Sequence, residues 1–126
     1  MRLALVAAAI WLGIASAHAA ELAGGPIDGG FNQRTAVCYF FNAGTTAVTL
    51  ANPRILNLNG SAVSLTVDEC GSGTLGVFKS CGIAASVSNS TIYSCKVTVT
   101  PSKQNVRGIL EMRTSGQVTL QNVELR

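Results

Sequence analysis

The chain has 126 residues, of which 48% are hydrophobic and 12% charged, and its net charge is +3. This length suits one domain. The small positive charge is scattered along the chain, which excludes the dense basic surface expected of a protein that binds nucleic acid or anionic lipid.

The N-terminus has the pattern of a secretory signal peptide. One positive charge at Arg2 precedes an uncharged, mostly apolar run over residues 3–17, and an A-x-A cleavage site ends at Ala19. We therefore predict that residues 1–19 are removed by cleavage between Ala19 and Ala20. A retained membrane anchor is the alternative, but the apolar run is shorter than the about 20 residues that a spanning helix needs. We expect no membrane span after cleavage.

The next segment, residues 20–34, is rich in glycine and has no apolar periodicity. It contains Gly24-Gly25-Pro26 and Gly29-Gly30. Because glycine and proline punctuate the chain without a repeating apolar face, we predict that residues 20–34 form a flexible lead-in. We assign residues 35–126 to a single folded domain.

From residue 35 onward, short runs of Val, Ile, Thr and aromatic residues alternate with Gly, Asn, Ser and Pro, which is typical of strands and turns. No window of helical length shows an apolar stripe. We predict an all-β fold, an antiparallel immunoglobulin-like sandwich of seven or eight strands with two disulfides; a small closed barrel is the alternative. The predicted strands span residues 35–42, 46–51, 54–57, 62–67, 82–88, 93–100, 106–113 and 117–125.

Alternation within these strands indicates which side chains face the core. Cys95, Val97 and Val99 share one face of their strand, and Leu110 and Met112 share one face of theirs. The neighbours Tyr39, Phe40 and Phe41 cannot all share a face, so at least one aromatic ring points outward or into a second layer. The broken alternation of the last strand predicts a bulge near residues 121–122.

Four cysteines follow the predicted cleavage site, and an even number in a small exported domain indicates disulfides. Cys70 and Cys81 bracket a Gly/Ser-rich loop, whereas Cys38 and Cys95 lie within predicted strands. Four cysteines allow three pairings, and we therefore prefer the one that joins Cys70 to Cys81 and Cys38 to Cys95. A zinc site or a redox-active pair is the alternative, but neither C-x-x-C spacing nor a histidine after residue 18 supports one.

Six segments carry a resemblance to known proteins: Cys38 to Thr45, Cys70 to Leu75, Cys81 to Ala85, Tyr93 to Lys96, Val106 to Arg113, and Gln121 to Arg126. Together they resemble a group of small exported proteobacterial proteins of unassigned function with an immunoglobulin-like sandwich. The resemblance implies a bacterial source and a periplasmic or extracellular location after signal-peptide cleavage. It implies no catalytic residues.

The residues after the signal peptide contain no constellation that predicts catalysis. Nucleophilic catalysis needs a base beside a Ser, Thr or Cys, and the only histidine, His18, precedes the cleavage site. Asp68 and Glu69 are adjacent and point apart on an extended chain, and no calcium-loop pattern is present. We expect a protein that is not an enzyme and that uses no metal and no cofactor.

One predicted outward face carries charge, with Arg107, Glu111 and Arg113 on alternate positions of a strand. An ion pair is the ordinary interpretation, and a binding face is the functional hypothesis. We therefore predict a binding or structural module whose partner is a protein or a component of the cell envelope. A subunit of a surface fibre or pilus-like assembly is the first alternative, although residues 20–32 lack the apolar alternation of a donor strand. An enzyme is the second.

Overall fold

The computed structural model describes residues 18–71 and 73–126. The predicted signal sequence up to residue 17 lies outside the described residues. The described part consists of nine strands and contains no helix. In chain order they are β1 Ala20–Ile27, β2 Thr35–Asn42, β3 Val48–Asn57, β4 Val67–Asp68, β5 Thr74–Leu75, β6 Ser80–Ser86, β7 Tyr93–Thr100, β8 Val106–Arg113 and β9 Thr119–Leu125.

The strands form two antiparallel sheets that pack as a sandwich, which confirms the predicted fold class. One sheet has four strands in the order β1-β7-β3-β5, and the other has five in the order β4-β6-β2-β8-β9. Strands β2, β7 and β8 have the bounds that the sequence pattern predicts. Side chains from both sheets meet in one core, where Ile55 and Val97 of the four-stranded sheet join Phe40 and Leu110 of the other.

Regular alternation places the central strands in this core. In β7 every second residue is buried, namely Tyr93, Cys95, Val97 and Val99. Because successive side chains of a strand point to opposite faces, one face of β7 packs against the opposite sheet and the other faces solvent. Full burial of such a side chain contributes about 1.5–3 kcal/mol to stability.

The predicted disulfides are both present. Cys38–Cys95 joins the interior strands β2 and β7 of opposite sheets, with Cα atoms 6.3 Å apart, and Cys70–Cys81 closes the loop before β6. Tyr93 begins β7 two residues before Cys95, and its hydroxyl accepts a 3.0 Å hydrogen bond from the backbone N–H of Ser88. Immunoglobulin domains also have a tyrosine two residues before their second cysteine, and its hydroxyl likewise forms a hydrogen bond with the backbone a few residues upstream.

The prediction of a flexible lead-in is wrong for residues 20–27, which form the edge strand β1. The strand pairs with β7 from Ala20 to Ile27, and Leu22 is buried in the core. Gly24 belongs here because the backbone passes close to β9: a Cβ atom would lie 2.9 Å from the carbonyl oxygen of Glu124. The glycine therefore permits a close contact between strands.

Three further differences from the predicted strands have local causes. The predicted strands 46–51 and 54–57 are one strand, β3, interrupted by a bulge at Asn52-Pro53. Most of the predicted strand 62–67 is a connection between the two sheets, in which Val63 and Leu65 alternate because they cover the edge of the core. The predicted bulge in the last strand is a register shift beside Leu120.

Candidate binding face

The outer face of the five-stranded sheet, opposite the core, carries the charged residues that the sequence singles out. It is formed by alternate residues of adjacent strands. Tyr39 of β2 lies beside Ile109 of β8, and Ile109 lies beside Glu124 of β9. In the next row Phe41 lies between Ser80 of β6 and Arg107 of β8. We call the surface formed by Tyr39, Phe41, Ser80, Arg107, Ile109 and Glu124 the outer-face patch.

Two aromatic side chains lie in this patch and are partly exposed. Tyr39 is 37% and Phe41 39% exposed, whereas Phe40 between them is fully buried in the core. This confirms that the three aromatic residues divide between two faces. The ring of Tyr39 lies over Gly82, where a Cβ atom would approach ring carbons to 3.1 Å. Glycine at position 82 therefore leaves room for the nearby edge of the Tyr39 ring.

Arg113 lies over the Tyr39 ring and is itself held by Glu111. The Arg113 guanidinium carbon is 5.5 Å from the ring centroid, which is a cation–π distance. Arg113 Nε donates a 2.8 Å hydrogen bond to Glu111 Oε2, and its Nη2 donates a second to the same oxygen. Partial burial acts to lower the pKa of Arg113, but hydrogen bonding and charge from Glu111 raise it above its ordinary value. Arg113 is therefore a fixed cation.

Arg107 is separated from that ion pair. It lies opposite Phe41, whereas Arg113 lies opposite Thr35, so the two arginines are about 20 Å apart along β8. Arg107 is exposed and donates hydrogen bonds to the backbone oxygens of Gln104 and Val106, at 2.8 and 3.3 Å. The ion pairs within the described ranges join Glu111 to Arg113 and Glu21 to Lys96, and none involves Arg107. The structure therefore divides the three predicted residues between a structural pair and a solvent-facing cation.

A shallow groove of about 370 Å³ crosses the outer-face patch. Its walls are mostly apolar, and the two charged side chains in its lining, Arg107 and Glu124, have opposite sign. The sequence pattern does not reveal this groove, because it is formed by residues from four strands. The lining residues are Tyr39, Phe40, Phe41, Ser80, Arg107, Gly108, Ile109, Glu124 and Leu125.

Comparisons of the chain with family models, with curated proteins and with solved structures find no match. The outer-face patch and the fold that supports it are therefore the basis for the proposed function. Residues 18–71 and 73–126 contain no group of three or more His, Cys, Asp or Glu side chains positioned to hold a metal. No helix in the same part of the chain has the length and apolar character needed to cross a membrane.

A further exposed aromatic side chain, that of Phe78, belongs to a residue whose backbone is hydrogen-bonded next to the patch. Phe78 is 68% exposed and has a φ of 55°, in the left-handed region that favours glycine. Its N–H donates a 2.9 Å hydrogen bond to the carbonyl oxygen of Asn42, the residue that follows Phe41. A bulky residue in this conformation destabilises the turn.

Proposed function

We propose that this protein is exported and acts as a non-catalytic binding or structural module, in the periplasm or outside the cell. The observation that carries the proposal is the outer-face patch, an apolar groove flanked by aromatic rings and two charges on a disulfide-linked sandwich. The contact surface is this patch, and the partner is a protein or another component of the cell envelope.

The scaffold supports the proposed location. Two disulfides are typical of proteins that fold in an oxidising compartment. The basic start, apolar run and A-x-A site of residues 1–19 provide the route of export. Cleavage after Ala19 leaves Ala20 as the first residue, which is also the first residue of β1.

The surface supports the proposed role. Aromatic residues and arginine are enriched at protein interfaces, where an apolar centre is surrounded by polar groups. Here Tyr39, Phe41 and half-buried Ile109 supply the apolar centre, and Arg107 and Glu124 supply charge beside it. The ion pair of Arg113 with Glu111 holds the ring of Tyr39, which limits the entropy lost when a partner binds.

The fibre-subunit alternative is less well supported. A subunit that borrows a strand from a neighbour needs an open position in its own sheet. The chain's own β1 occupies the position beside β7, and Ala23 exchanges two backbone hydrogen bonds with Arg126 at 3.1 and 2.8 Å. The edge beside β7 is thus filled within the molecule.

Export is tested by the intact mass of the natural protein from separated medium, periplasm and membranes, with and without reductant. We expect a chain that begins at Ala20, that lies outside the cytoplasm and that is four hydrogen masses lighter before reduction. An uncleaved or fully reduced chain would contradict the proposal.

Binding through the patch is tested by photocrosslinking in living cells. A photoreactive phenylalanine derivative replaces Phe41, and in a matched control it replaces Thr49, which is exposed on the outer side of the four-stranded sheet. We expect a crosslinked adduct from position 41 and none from position 49. If position 41 gives no adduct, the patch is not the contact surface.

A further inference from the structure

The outer-face patch combines an apolar centre with one cation and one anion, and this combination restricts its partner. A strongly acidic ligand is attracted by Arg107 but repelled by Glu124, and a strongly basic ligand encounters the reverse. Both charged residues line the same groove, yet they do not form an ion pair with one another. A partner that satisfies both must present an anion and a cation around an apolar surface of its own.

A second copy of this chain has that chemistry. In a two-fold dimer the same patch serves both subunits, so a contact between Arg107 of one copy and Glu124 of the other occurs twice. We propose that the protein forms a face-to-face homodimer through the outer-face patch, with Tyr39, Phe41 and Ile109 at its centre. This inference rests on the proposed function and names the partner of the same surface.

The strand register favours reciprocal pairing. Arg107 lies opposite Phe41 across the β8–β2 ladder, whereas Glu124 lies one row away, beside Ile109 across the β9–β8 ladder. The two charges are thus placed diagonally on neighbouring strands, and Ile109 lies next to both. Arg107 is held by backbone carbonyl oxygens of Gln104 and Val106, which leaves its remaining N–H groups free to donate to another molecule.

The size of the face sets the expected strength of the dimer. Strands β6, β2, β8 and β9, at seven or eight residues each, cover about 20 Å by 23 Å in projection. A face of this extent belongs with the smaller specific interfaces, the class that contains weak and transient complexes. We therefore expect a reversible, concentration-dependent dimer that is absent in dilute solution.

Sedimentation velocity of the processed, disulfide-bonded protein over a wide range of concentrations tests the dimer. We expect the wild-type protein to dimerise at high concentration. Arg107→Glu and Glu124→Arg should each weaken dimerisation at least tenfold, because each places like charges together. The double variant R107E/E124R exchanges the two charges and should restore dimerisation. Arg34→Glu is the matched control, since Arg34 is also exposed and also donates to backbone oxygens, those of Phe31 and Gln33.

Several outcomes would overturn the inference. A wild-type protein that stays monomeric at every concentration excludes the dimer, and a double variant that does not recover excludes the Arg107–Glu124 pairing. Ile109→Lys places a charge at the apolar centre and should abolish dimerisation, so it decides the question if the charge variants do not fold. The photocrosslink from position 41 separates this inference from the proposed function. An adduct of twice the chain mass supports the dimer. An adduct heavier than the chain, but not of twice its mass, refutes the dimer and supports binding to another partner.

Discussion

Cys38 and Cys95 lie on interior strands of opposite sheets and join them through the middle of the core, where both are essentially fully buried. The bond closes a loop between residues 57 apart in sequence, and the second disulfide, Cys70–Cys81, closes one of 11. In the chain-entropy estimate the longer loop contributes about 4 kcal/mol and the shorter about 3 kcal/mol.

The double variant Cys38→Ala/Cys95→Ala is therefore expected to lose more stability than Cys70→Ala/Cys81→Ala. The loss for each double variant is its free energy of unfolding, measured by urea denaturation, subtracted from that of the wild type. The core pair should lose about 4 kcal/mol or more, because removal of buried sulfur atoms also leaves a cavity. An equal or larger loss from the loop pair would contradict this ranking.

Strand β1 is expected to contribute to the core, although its sequence suggests a flexible segment. Leu22 is 2% exposed, so Leu22→Ala should cost about 2–5 kcal/mol of unfolding free energy. Val118→Ala, at a side chain that is 62% exposed, is the control and should change stability little. A Leu22→Ala variant as stable as wild type would mean that β1 is detached in solution.

The contrast between β1 and β7 explains which parts of the fold the sequence could predict. In β7 an unbroken apolar–polar alternation predicts the bounds, the buried face and the position of Cys95. In β1 the alternation is lost because Gly24 lies against Glu124 and Leu125, a contact between residues 100 apart in the chain. A local sequence pattern cannot predict such a long-range contact. From the sequence alone, the glycine therefore indicates a flexible segment.

The same distinction applies to the candidate site. Alternation correctly separates Phe40 from its neighbours Tyr39 and Phe41, but the structure is needed to show that Phe40 is the buried one. It also places Arg107 and Arg113 on one face, but it cannot show that only Arg113 has a carboxylate partner. Glu124 joins the patch through the register between β8 and β9, which depends on a bulge beside Leu120. That register is a property of the sheet and is not encoded in either strand alone.

The turn before β6 contains a testable source of strain. Phe78 has a φ of 55°, and left-handed backbone costs an ordinary L-residue about 1–2 kcal/mol, whereas asparagine tolerates it. Because the ring is 68% exposed, Phe78→Asn loses little burial and should raise the free energy of unfolding by about 1 kcal/mol. Phe31→Asn, at an aromatic residue without a positive φ, should give no such gain. A destabilised Phe78→Asn variant would show that the ring packs in solution.

The ion pair between β1 and β7 predicts a modest effect of pH. Glu21 Oε1 lies 2.7 Å from Lys96 Nζ, and the hydrogen bond from Lys96 lowers the pKa of Glu21 below its ordinary value of 4.5. A lowered folded-state pKa stabilises the protein above the unfolded-state value, and the effect is lost as pH falls through the folded-state value. Glu21→Gln should therefore be slightly less stable than wild type at pH 7, and equally stable in strong acid. The effect is small because the carboxylate is exposed and screened by solvent.

Urea midpoints for wild type and Glu21→Gln across the acid range provide the measurement. The two curves should converge below the ordinary pKa of a glutamate. Persistence of the full difference at the lowest pH would show that the glutamine acts through packing and not through the loss of charge.

The side chains of Tyr39 and Arg113 are expected to be energetically coupled. The guanidinium lies 5.5 Å from the ring centroid and is fixed by Glu111, so it need not be ordered when the contact forms. A double-mutant cycle with Tyr39→Leu and Arg113→Met should give a coupling of about 0.5–1 kcal/mol. The same cycle with Tyr39→Leu and Arg107→Met is the control and should give none, because Arg107 lies opposite Phe41 and is held by backbone oxygens. Equal coupling in both cycles would mean that the arginines act on Tyr39 only through the general charge of the face. Coupling confined to Arg113 would show that this arginine, and not Arg107, orients the ring.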